Sequence, residues 1–480
     1  MTTDTTAHTA TATAGTTAAA GAAPAPAPGA AGGPGTGTAA PRGAAHFLAP
    51  LVAGLFNGVM PVRLRAWDGS EAGPADAPRV VLRDRDAVRH VLARPGELGL
   101  ARAYVTGALD VEGDLTDGLR RAWASVARHG TSLPGPVEAA RAARALVALG
   151  VVGPPPPAPS AEAALRGRRH SRARDAAAIA HHYDAGNDLY ELLLDESMAY
   201  SCAYWTSDDP GYTLADAQRD KLALVCSELG LSGGDRLLDV GCGWGSLALY
   251  AARHHGAAVT AVTLSARQRD HVADRARAEG LDGLVEVRLQ HYGDVDDTGF
   301  DAVASIEMGE HVGRGGYASF ARALRARLRP GGRLLLQQMS RRGRHPGGGP
   351  FIERYIAPDM HMRPVGETVG LLEDAGLEVR GVRAMREHYV RTARAWSAEL
   401  ERRHGELVDL VGAESARVWR LYLAGGALAF EEGRMGVDQV LAVRPDRTPH
   451  PFGHALAQGT GRATGTGGTA GSGEPSGGAR

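Results

Sequence analysis

The sequence predicts an α/β protein built on a mostly parallel β-sheet, with a smaller α+β domain before it. Short apolar runs alternate with helical stretches over residues 175–445, which is typical of parallel strands joined by crossover helices. A glycine-rich turn follows the first of these runs, as in folds that bind nucleotide-like ligands. A chain of 480 residues also exceeds one average domain, which favours two folded units with tails.

The smaller domain is predicted at residues 44–148. An alternating strand that ends in a turn is expected at 61–70, a second strand at 80–82 and a short helix at 86–93. No catalytic constellation stands out in this block, so the motifs predict no reaction for it.

Segments of biased composition flank and separate the two units. Residues 1–43 consist almost entirely of Ala, Thr, Gly and Pro, and in the tail at 446–480 the residues from 457 onwards are mostly Gly, Thr, Ser and Ala. Neither tail can bury a core, so both are expected to be disordered. A linker rich in Pro and Arg is predicted at 149–174, where four consecutive prolines at 154–157 favour a stiff, extended chain.

The larger domain, at 175–445, should carry the parallel sheet. Its strands are predicted at 236–240, 257–263, 285–290, 301–306 and 332–337.

Composition excludes several classes of function. The formal net charge is −1, which gives no overall signal for nucleic-acid binding. Three cysteines without metal-ligand spacing favour a reducing cytoplasm over a disulfide scaffold. No window reaches the roughly 18–20 apolar residues of a membrane span, and the N-terminus lacks the pattern of a signal peptide.

The glycine-rich turn is the strongest motif. Asp239, Gly241, Gly243 and Gly245 form the pattern D-x-G-x-G-x-G between a strand and a helix. Dinucleotide-binding turns read G-x-G-x-x-G instead, whereas this form is typical of S-adenosylmethionine (SAM) methyltransferases. A surface turn is the alternative, but the acidic residue, the strand and the helix together favour SAM.

The next two strand ends supply further candidate SAM contacts. The second strand ends at Thr263 and Gln268 lies just beyond it, where a ribose site usually has Asp or Glu. Their hydroxyl and amide can also bond ribose. A helix N-cap, formed with Ser265, is the alternative for this segment. Tyr292 follows the third strand, where adenine would lie, although a packing role is equally compatible.

The fourth strand ends in a cluster of polar residues. Glu307, Glu310 and His311 should lie at the carboxyl edge of the sheet, where such folds bind ligands, unless they are ordinary solvated loop residues. His181 and His182 have no third ligand at suitable spacing, so no metal site is predicted.

Seven segments between about 181 and 397 read HHYDAGNDLY, MAYSCAYW, LLDVGCGWGSLALYAA, VTLSARQ, SIEMGEHVG, YIAPDMHMRP and HYVRTARAW. Together they resemble the cyclopropane-fatty-acyl-phospholipid synthases, a family that includes mycolic acid cyclopropane synthases and fatty-acid C-methyltransferases. The N-terminal block resembles the extra domain of the phospholipid-acting members. The resemblance implies a Rossmann-like class I SAM-dependent methyltransferase domain with a mostly parallel seven-stranded sheet.

The resemblance also implies a mechanism. The alkene of an unsaturated acyl chain attacks the SAM methyl group, and a bound bicarbonate ion deprotonates the resulting carbocation. Loss of a proton from the new methyl gives a cyclopropane, and loss from a neighbouring carbon gives a methylene or methyl-branched precursor. The bicarbonate pocket maps to Cys202, Glu310 and Tyr389. Gln337 stands where the family's pocket has a histidine, which leaves the product type open.

By the same resemblance, six residues should contact SAM: Tyr200, Ser201, Gly241, Gly243, Thr263 and Gln268. The substrate would be the unsaturated acyl chains of phospholipids, reached by a cytoplasmic protein that docks on the inner face of the membrane. Two arginine groups are candidates for that docking: Arg166, Arg168, Arg169, Arg172 and Arg174, and then Arg341, Arg342 and Arg344. Solvated faces are the alternative; no nucleic-acid partner is expected, and a homodimer is left open.

Two other functions compete with a phospholipid-modifying enzyme. A small-molecule C-methyltransferase would have no use for the N-terminal block. A non-catalytic lipid-binding protein would not need the intact glycine turn, nor Cys202, Glu310 and Tyr389. The sequence leaves the double-bond position, the head group and the oligomeric state undetermined.

Overall fold

The computed structural model describes residues 43–132, 134–163, 174, 187–343 and 345–446. The predicted tails lie almost wholly outside the described residues, as does most of the predicted linker beyond residue 163. Unless otherwise stated, elements and contacts below refer to the described parts of the chain.

The N-terminal part combines helices with a small mixed sheet. Its strands pair in the order β2-β1-β3-β4, with β1 parallel to β3 and the other two pairs antiparallel. Its elements in chain order are α1 (Ala44–Leu55), β1 (Arg63–Arg65), β2 (Glu71–Ala72), β3 (Arg79–Leu82), α2 (Asp86–Ala93), α3 (Glu97–Val105), β4 (Leu109–Val111), α4 (Leu115–His129) and α5 (Pro136–Ala148).

The first predicted strand is shorter than its alternating pattern suggested. Asp68 explains where it stops, because its carboxylate accepts hydrogen bonds from the Ser70 backbone N–H (3.1 Å) and hydroxyl (2.5 Å). The same carboxylate accepts from the Ala44 N–H at 2.7 Å. These bonds fix a turn after β1 and tie it to the start of α1. The predicted helix at 86–93 is confirmed as α2.

The C-terminal part contains the large sheet and the helices that cover it. Its elements in chain order are α6 (Asn187–Leu193), α7 (Leu214–Leu229), β5 (Arg236–Val240), α8 (Ser246–His255), β6 (Ala258–Thr263), α9 (Ala266–Ala278), β7 (Val285–Leu289), β8 (Phe300–Ile306), α10 (Gly313–Arg327), β9 (Leu328–Ser340), α11 (Val365–Asp374), β10 (Glu378–Ala384), α12 (Arg386–Arg402), α13 (His404–Glu431) and β11 (Gly436–Val443). Short helical turns occur at Tyr292–Asp294, Gly309–Val312 and Ile352–Ile356.

The large sheet has seven strands in the order β10-β11-β9-β8-β5-β6-β7. Strands β5 to β9 run parallel, while β11 pairs antiparallel with both β9 and β10. The predicted mostly parallel α/β fold is therefore confirmed. The carboxyl ends of β5, β6 and β8 meet at one edge, where open sheets of this kind bind ligands.

The core lies on both faces of this sheet. Leu237 and Leu238 are adjacent on β5 but pack into separate apolar clusters on opposite faces, because successive strand side chains point in opposite directions. A strand buried on both faces has a continuous run of apolar residues. Such a run predicts β5 from the sequence.

The N-terminal part packs against α13. The Arg417 guanidinium donates to the Tyr104 backbone carbonyl at 2.5 Å and to the Leu109 carbonyl at 2.9 Å. Farther on, Glu162 forms a two-bond ion pair with Arg102, both contacts at 2.8 Å, and accepts from the Tyr355 hydroxyl at 3.2 Å. Residues of the predicted linker therefore hold the two parts of the chain together.

Candidate active site

A cavity of about 700 Å³ opens at the carboxyl edge of the large sheet. Roughly 300–1,000 Å³ is usual for sites that bind small molecules or cofactors. Many of the residues predicted to contact SAM line this cavity, namely Tyr200, Ser201, Asp239, Gly241, Gly243, Thr263, Gln268 and Tyr292.

The glycine turn forms part of the cavity wall, and its three glycines differ in what they face. Gly241, Gly243 and Gly245 have φ values of 79°, 54° and 82°, which side chains rarely tolerate. Among the described residues, a Cβ added at Gly243 would meet nothing within 4 Å, whereas one at Gly245 would lie 2.8 Å from a methyl of Val272. Gly243 therefore borders open space, while Gly245 allows α8 to pack against α9.

Asp239 ends β5 directly below this turn. Burial raises the pKa of its carboxyl to about 7, and only the nearby Lys221 ammonium opposes that rise. Within the described residues its Oδ2 atom has no hydrogen-bond partner. A buried acceptor that faces a cavity without a partner points to a polar ligand group there.

Lys221, on α7, is a charged residue in the cavity wall that the motifs did not reveal. It is 1% exposed, and its ammonium donates to the Ser201 hydroxyl at 3.0 Å. Burial lowers the pKa of its amine, while Glu307, Asp195 and Asp239 act in the opposite direction. Its carboxylate neighbours compensate this buried cation, which would otherwise be costly to bury.

Thr263 and Gln268 meet at the second strand end. The Thr263 hydroxyl donates to the Gln268 side-chain oxygen at 2.7 Å, which leaves the Gln268 amide nitrogen without a partner among the described residues. The helix-cap alternative also applies here, because the Ser265 hydroxyl accepts from the Gln268 backbone N–H at 3.3 Å. Tyr292 is compatible with both a ligand contact and a packing role, because it lines the cavity and packs edge-on against Phe320.

Glu307 also lines the cavity, and its carboxylate accepts three hydrogen bonds. Its Oε1 atom accepts from the Cys202 backbone N–H and from the Gln337 amide, both at 2.8 Å. Its Oε2 atom accepts from the Tyr389 hydroxyl at 2.7 Å. Three of the residues predicted to form a bicarbonate pocket thus converge on a carboxylate that belongs to the chain.

The Gln337 amide is held in one orientation. Its nitrogen also donates to the Cys202 carbonyl at 3.2 Å, and its oxygen accepts from the Gln439 amide at 2.9 Å. Gln337 and Gln439 are direct partners in the β9–β11 register. Because the oxygen is occupied by Gln439, the amide presents its nitrogen to Glu307.

Glu310 lies close by but contacts different groups. Its Oε1 atom accepts from the Met339 backbone N–H, and its Oε2 atom has no partner among the described residues. Burial first, and then the neighbouring Glu307, raise the pKa of its carboxyl to about 8. The structure therefore brings Cys202, Gln337 and Tyr389 together around Glu307. The Glu310 carboxylate lies beside them, bonded to the backbone of β9.

The Cys202 side chain is not activated. Burial, followed by the charge of Glu307, raises the pKa of its thiol well above the usual value, so the thiol stays protonated. Its Sγ atom donates to the Ala203 carbonyl at 3.3 Å. What Cys202 gives the site is its backbone N–H.

Aromatic rings pack around Tyr389 and the cavity wall. Tyr389 stacks on Phe430 with ring centroids 4.3 Å apart, and the ring centroids of Tyr200 and Trp396 are 5.2 Å apart. Rings of this kind present electron-rich faces that attract cations.

Several predicted features lie outside the described residues. These are the segment at 181–186, which includes the two adjacent histidines, and Arg166, Arg168, Arg169, Arg172 and Arg344. Arg174 is described and forms an ion pair with Asp359 at 2.5 Å, beside the cavity. No helix within the described ranges is both long and apolar enough to cross a bilayer.

Comparison with known proteins adds a family and several relatives. A family model described as mycolic acid cyclopropane synthetase matches residues 170–440. A probable fatty acid methyltransferase of Pseudomonas putida is 36% identical over 412 residues, which cover 84% of this chain and 97% of that protein. A probable fatty acid methyltransferase of Mycobacterium tuberculosis is 38% identical over 399 residues, 81% of this chain and 92% of that protein.

Among solved structures, the chain is similar to the mycolic acid cyclopropane synthase CmaA1 complexed with SAH and CTAB. The TM-score is 0.53 at 31% identity, and the match covers 56% of this chain and 98% of that one.

Proposed function

The chain belongs to the mycolic acid cyclopropane synthetase family of SAM-dependent methyltransferases, and we propose that it modifies unsaturated fatty-acyl chains of membrane phospholipids. In this proposal a one-carbon unit passes from SAM to the acyl double bond. The observation that carries it is the position of Glu307. This carboxylate, anchored by Cys202, Gln337 and Tyr389, lines the same cavity as the glycine turn.

The residues of the cavity fit SAM. Gly243 leaves open space where a ligand can approach the backbone closely. The Asp239 Oδ2 and Gln268 Nε2 atoms, which have no partner within the described ranges, supply an acceptor and a donor. Asp239 suits the ammonium of the amino-acid end, and Gln268 suits the ribose hydroxyls. When bound, SAM supplies an electrophilic methyl group. Tyr200, Ser201, Thr263 and Tyr292 complete the proposed SAM contacts.

The other part of the cavity wall suits an aliphatic chain. Ile306, Met308 and Val312 line it beside Glu307. An alkene in contact with such residues is shielded from water, which matters because water would trap a carbocation. The aromatic rings near Tyr389 can stabilise positive charge on the acyl chain.

The bicarbonate ion that the resemblance implies does not fit the residues present. The Cys202 N–H, the Gln337 amide and the Tyr389 hydroxyl already donate to Glu307. A separate anion at that place would have to displace Glu307, and it would meet a second negative charge at contact distance. We therefore assign no step of the reaction to bicarbonate.

The proposed substrate is presented by a bilayer, so the protein would work at a membrane surface. The arginines at 166–172 remain candidates for contact with anionic lipid, each able to contribute about 1 kcal/mol near such a surface. Changing Arg166, Arg168, Arg169 and Arg172 to Gln should weaken co-sedimentation with anionic vesicles, most of all at low salt. SAM affinity, measured by calorimetry, should be unchanged.

The experiment that tests the function is mass spectrometry of cellular fatty acids with and without this protein. We expect a population of phospholipid acyl chains heavier by one CH₂ unit, and fragmentation then separates cyclopropane from methylene products. If acyl chains are unchanged while a small molecule is methylated, the alternative of a small-molecule C-methyltransferase is supported instead.

A further inference from the structure

We propose that Glu307 is the catalytic base, so that the chain carries its own carboxylate in the place expected for bicarbonate. This inference rests on the proposed function, because it identifies the group that deprotonates the carbocation. It follows from the hydrogen bonds, the backbone and the surroundings of Glu307, and each is considered below.

The hydrogen bonds to Glu307 are those of a bound carboxylate anion. Two N–H donors lie 2.8 Å from Oε1, and one O–H donor lies 2.7 Å from Oε2. Charge-assisted bonds fall at roughly 2.7–2.9 Å for nitrogen donors and 2.5–2.7 Å for hydroxyl donors. The donors come from three separate parts of the chain, the segment before α7, β9 and α12, so the pocket is built around this carboxylate.

The backbone of Glu307 is held in an unusual conformation. Its φ is 51°, in the left-handed region, which costs a residue other than glycine about 1 kcal/mol or more. The bond from its N–H to the Gln337 carbonyl, at 2.6 Å, fixes this conformation at the end of β8. Such conformations concentrate at functional sites, where the surrounding structure enforces them. Here the conformation turns the carboxylate towards its three donors.

The balance of charge suits a base. Burial raises the pKa of the Glu307 carboxyl above its usual value, which strengthens it as a proton acceptor. Its three hydrogen-bond donors and the Lys221 ammonium lower this pKa, because they stabilise the carboxylate anion. A carboxylate in water has neither feature.

The geometry also indicates which oxygen takes the proton. Within the described part of the chain, Oε1 receives two hydrogen bonds, whereas Oε2 receives one and keeps a lone pair. In the first step the alkene π electrons form the new C–C bond and the methyl–sulfur bonding pair stays on sulfur. A carbocation remains on the acyl chain.

In the second step Oε2 takes a proton either from the new methyl group or from a carbon adjacent to the cationic centre. The electron pair of that C–H bond closes a cyclopropane ring in the first case and forms a C=C double bond in the second. No oxidant or reductant is needed, and the proton rests on Glu307 until product leaves. The carboxyl then loses it to water entering the cavity.

Other titratable groups nearby are less suitable as the base. Burial lowers the pKa of His311 to about 4, so its imidazole is a weak base. The Cys202 thiol stays protonated, and Asp239 lies at the glycine turn. Glu310 is not among the described residues that line the cavity, and one of its oxygens is bonded to the backbone of β9.

The test measures methyl transfer from SAM to phospholipid vesicles, in buffer freed of carbon dioxide and again with added bicarbonate. We expect wild-type turnover to be the same in both. Glu307→Gln keeps the shape but removes the basic oxygen, so turnover should fall at least about 100-fold. Glu310→Gln, the matched change on the neighbouring carboxylate, should cost less. SAM calorimetry and thermal melts on each variant show whether the fold is retained.

A second variant makes the pocket available to an outside anion. Glu307→Gly removes the carboxylate, suits the left-handed backbone and leaves the Cys202, Gln337 and Tyr389 donors facing the vacated space. We expect it to be nearly inactive without bicarbonate and to regain at least about tenfold when bicarbonate is added.

Two results would overturn the inference. One is a wild-type protein that methylates acyl chains only when bicarbonate is present, and this result needs no variant to fold. The other is a folded Glu307→Gln protein with wild-type turnover. Either result leaves the proposed function standing, because methyl transfer to acyl chains is itself observed. Absence of any such transfer by the wild type would count against the proposed function.

Discussion

Removal of the Tyr389 hydroxyl should move the pH dependence of the reaction. The hydroxyl donates to Glu307 Oε2 at 2.7 Å. A hydrogen bond to a charged group contributes about 1.5–3 kcal/mol, and Tyr389→Phe withdraws that stabilisation from the anion alone. The Glu307 pKa must then rise, so the anion forms only at higher pH. At about 1.36 kcal/mol per tenfold change, the acid limb of the rate profile should move up by about one to two pH units.

The assay is methyl transfer from SAM to phospholipid vesicles across a pH series. Below the acid limb, the Tyr389→Phe rate should be about tenfold to a hundredfold below wild type, and the two rates should converge at high pH. Tyr355→Phe is the matched control, because its hydroxyl also donates to a carboxylate, that of Glu162, but in the contact between the two parts of the chain. An unchanged limb in a folded Tyr389→Phe protein would refute the reasoning.

Three further predictions concern residues of the candidate site. Gly243→Val places a branched side chain in the open space beside the turn and should abolish SAM binding by calorimetry, while a thermal melt checks the fold. Cys202→Ala keeps the backbone N–H that Glu307 uses and should retain turnover within about threefold, since the thiol stays protonated; a loss comparable to that of Glu307→Gln would contradict this. The Asp239 pKa, raised from 3.8 to about 7, means that the folded protein binds a proton more tightly than the unfolded chain. Its contribution to stability is therefore fully present below pH 3.8 and is lost as the pH rises through 7, by up to roughly 4 kcal/mol. Asp239→Asn should remove this slope in urea unfolding of the SAM-free protein at about pH 5 and about pH 8, and equal slopes would show that Asp239 is not its source.

The strands of the large sheet could be predicted because burial on both faces leaves a clear mark in the sequence. The predicted bounds of β5 are those observed, and those of β6, β7 and β8 each differ by one residue at one end. β9 extends beyond its predicted bounds at both ends. β10 and β11 were not predicted. β10 lies at the sheet edge with mostly exposed side chains, so it lacks the continuous apolar run of an inner strand.

The glycine turn shows where a motif stops being informative. All three glycines have positive φ, but the sequence could not tell that Gly245 faces Val272 while Gly243 faces open space. That distinction depends on how α8 packs against α9, which residues distant in the chain decide.

The centre of the site was identified only in part. The resemblance predicts Cys202, Gln337 and Tyr389 as site residues, and all three lie together around Glu307. Glu307 and Glu310 are three residues apart in one motif, and which of them meets those donors depends on the left-handed backbone at Glu307. A residue other than glycine gives little warning of such a conformation in sequence.

No motif in the neighbouring sequence predicts that Lys221 and Gln439 belong to the site. Lys221 falls within an ordinary helix, and only its burial against Ser201 reveals it as a cavity residue. Gln439 lies 102 residues from Gln337 and orients it only because β11 pairs with β9 in one particular register. Sequence periodicity does not encode the register of strands so far apart.

The glutamine at 337 and the glutamate at 307 are best understood together. A cationic side chain at 337 would pair strongly with the carboxylate and lower its pKa, and it would make the anion a weaker base. The neutral amide, fixed by Gln439, donates one bond to Glu307 Oε1 without adding charge. Burial can then keep the Glu307 pKa above its usual value while three donors hold the anion in place. If Glu307 is the base, as proposed above, a neutral amide at 337 suits it better than a charged imidazole would.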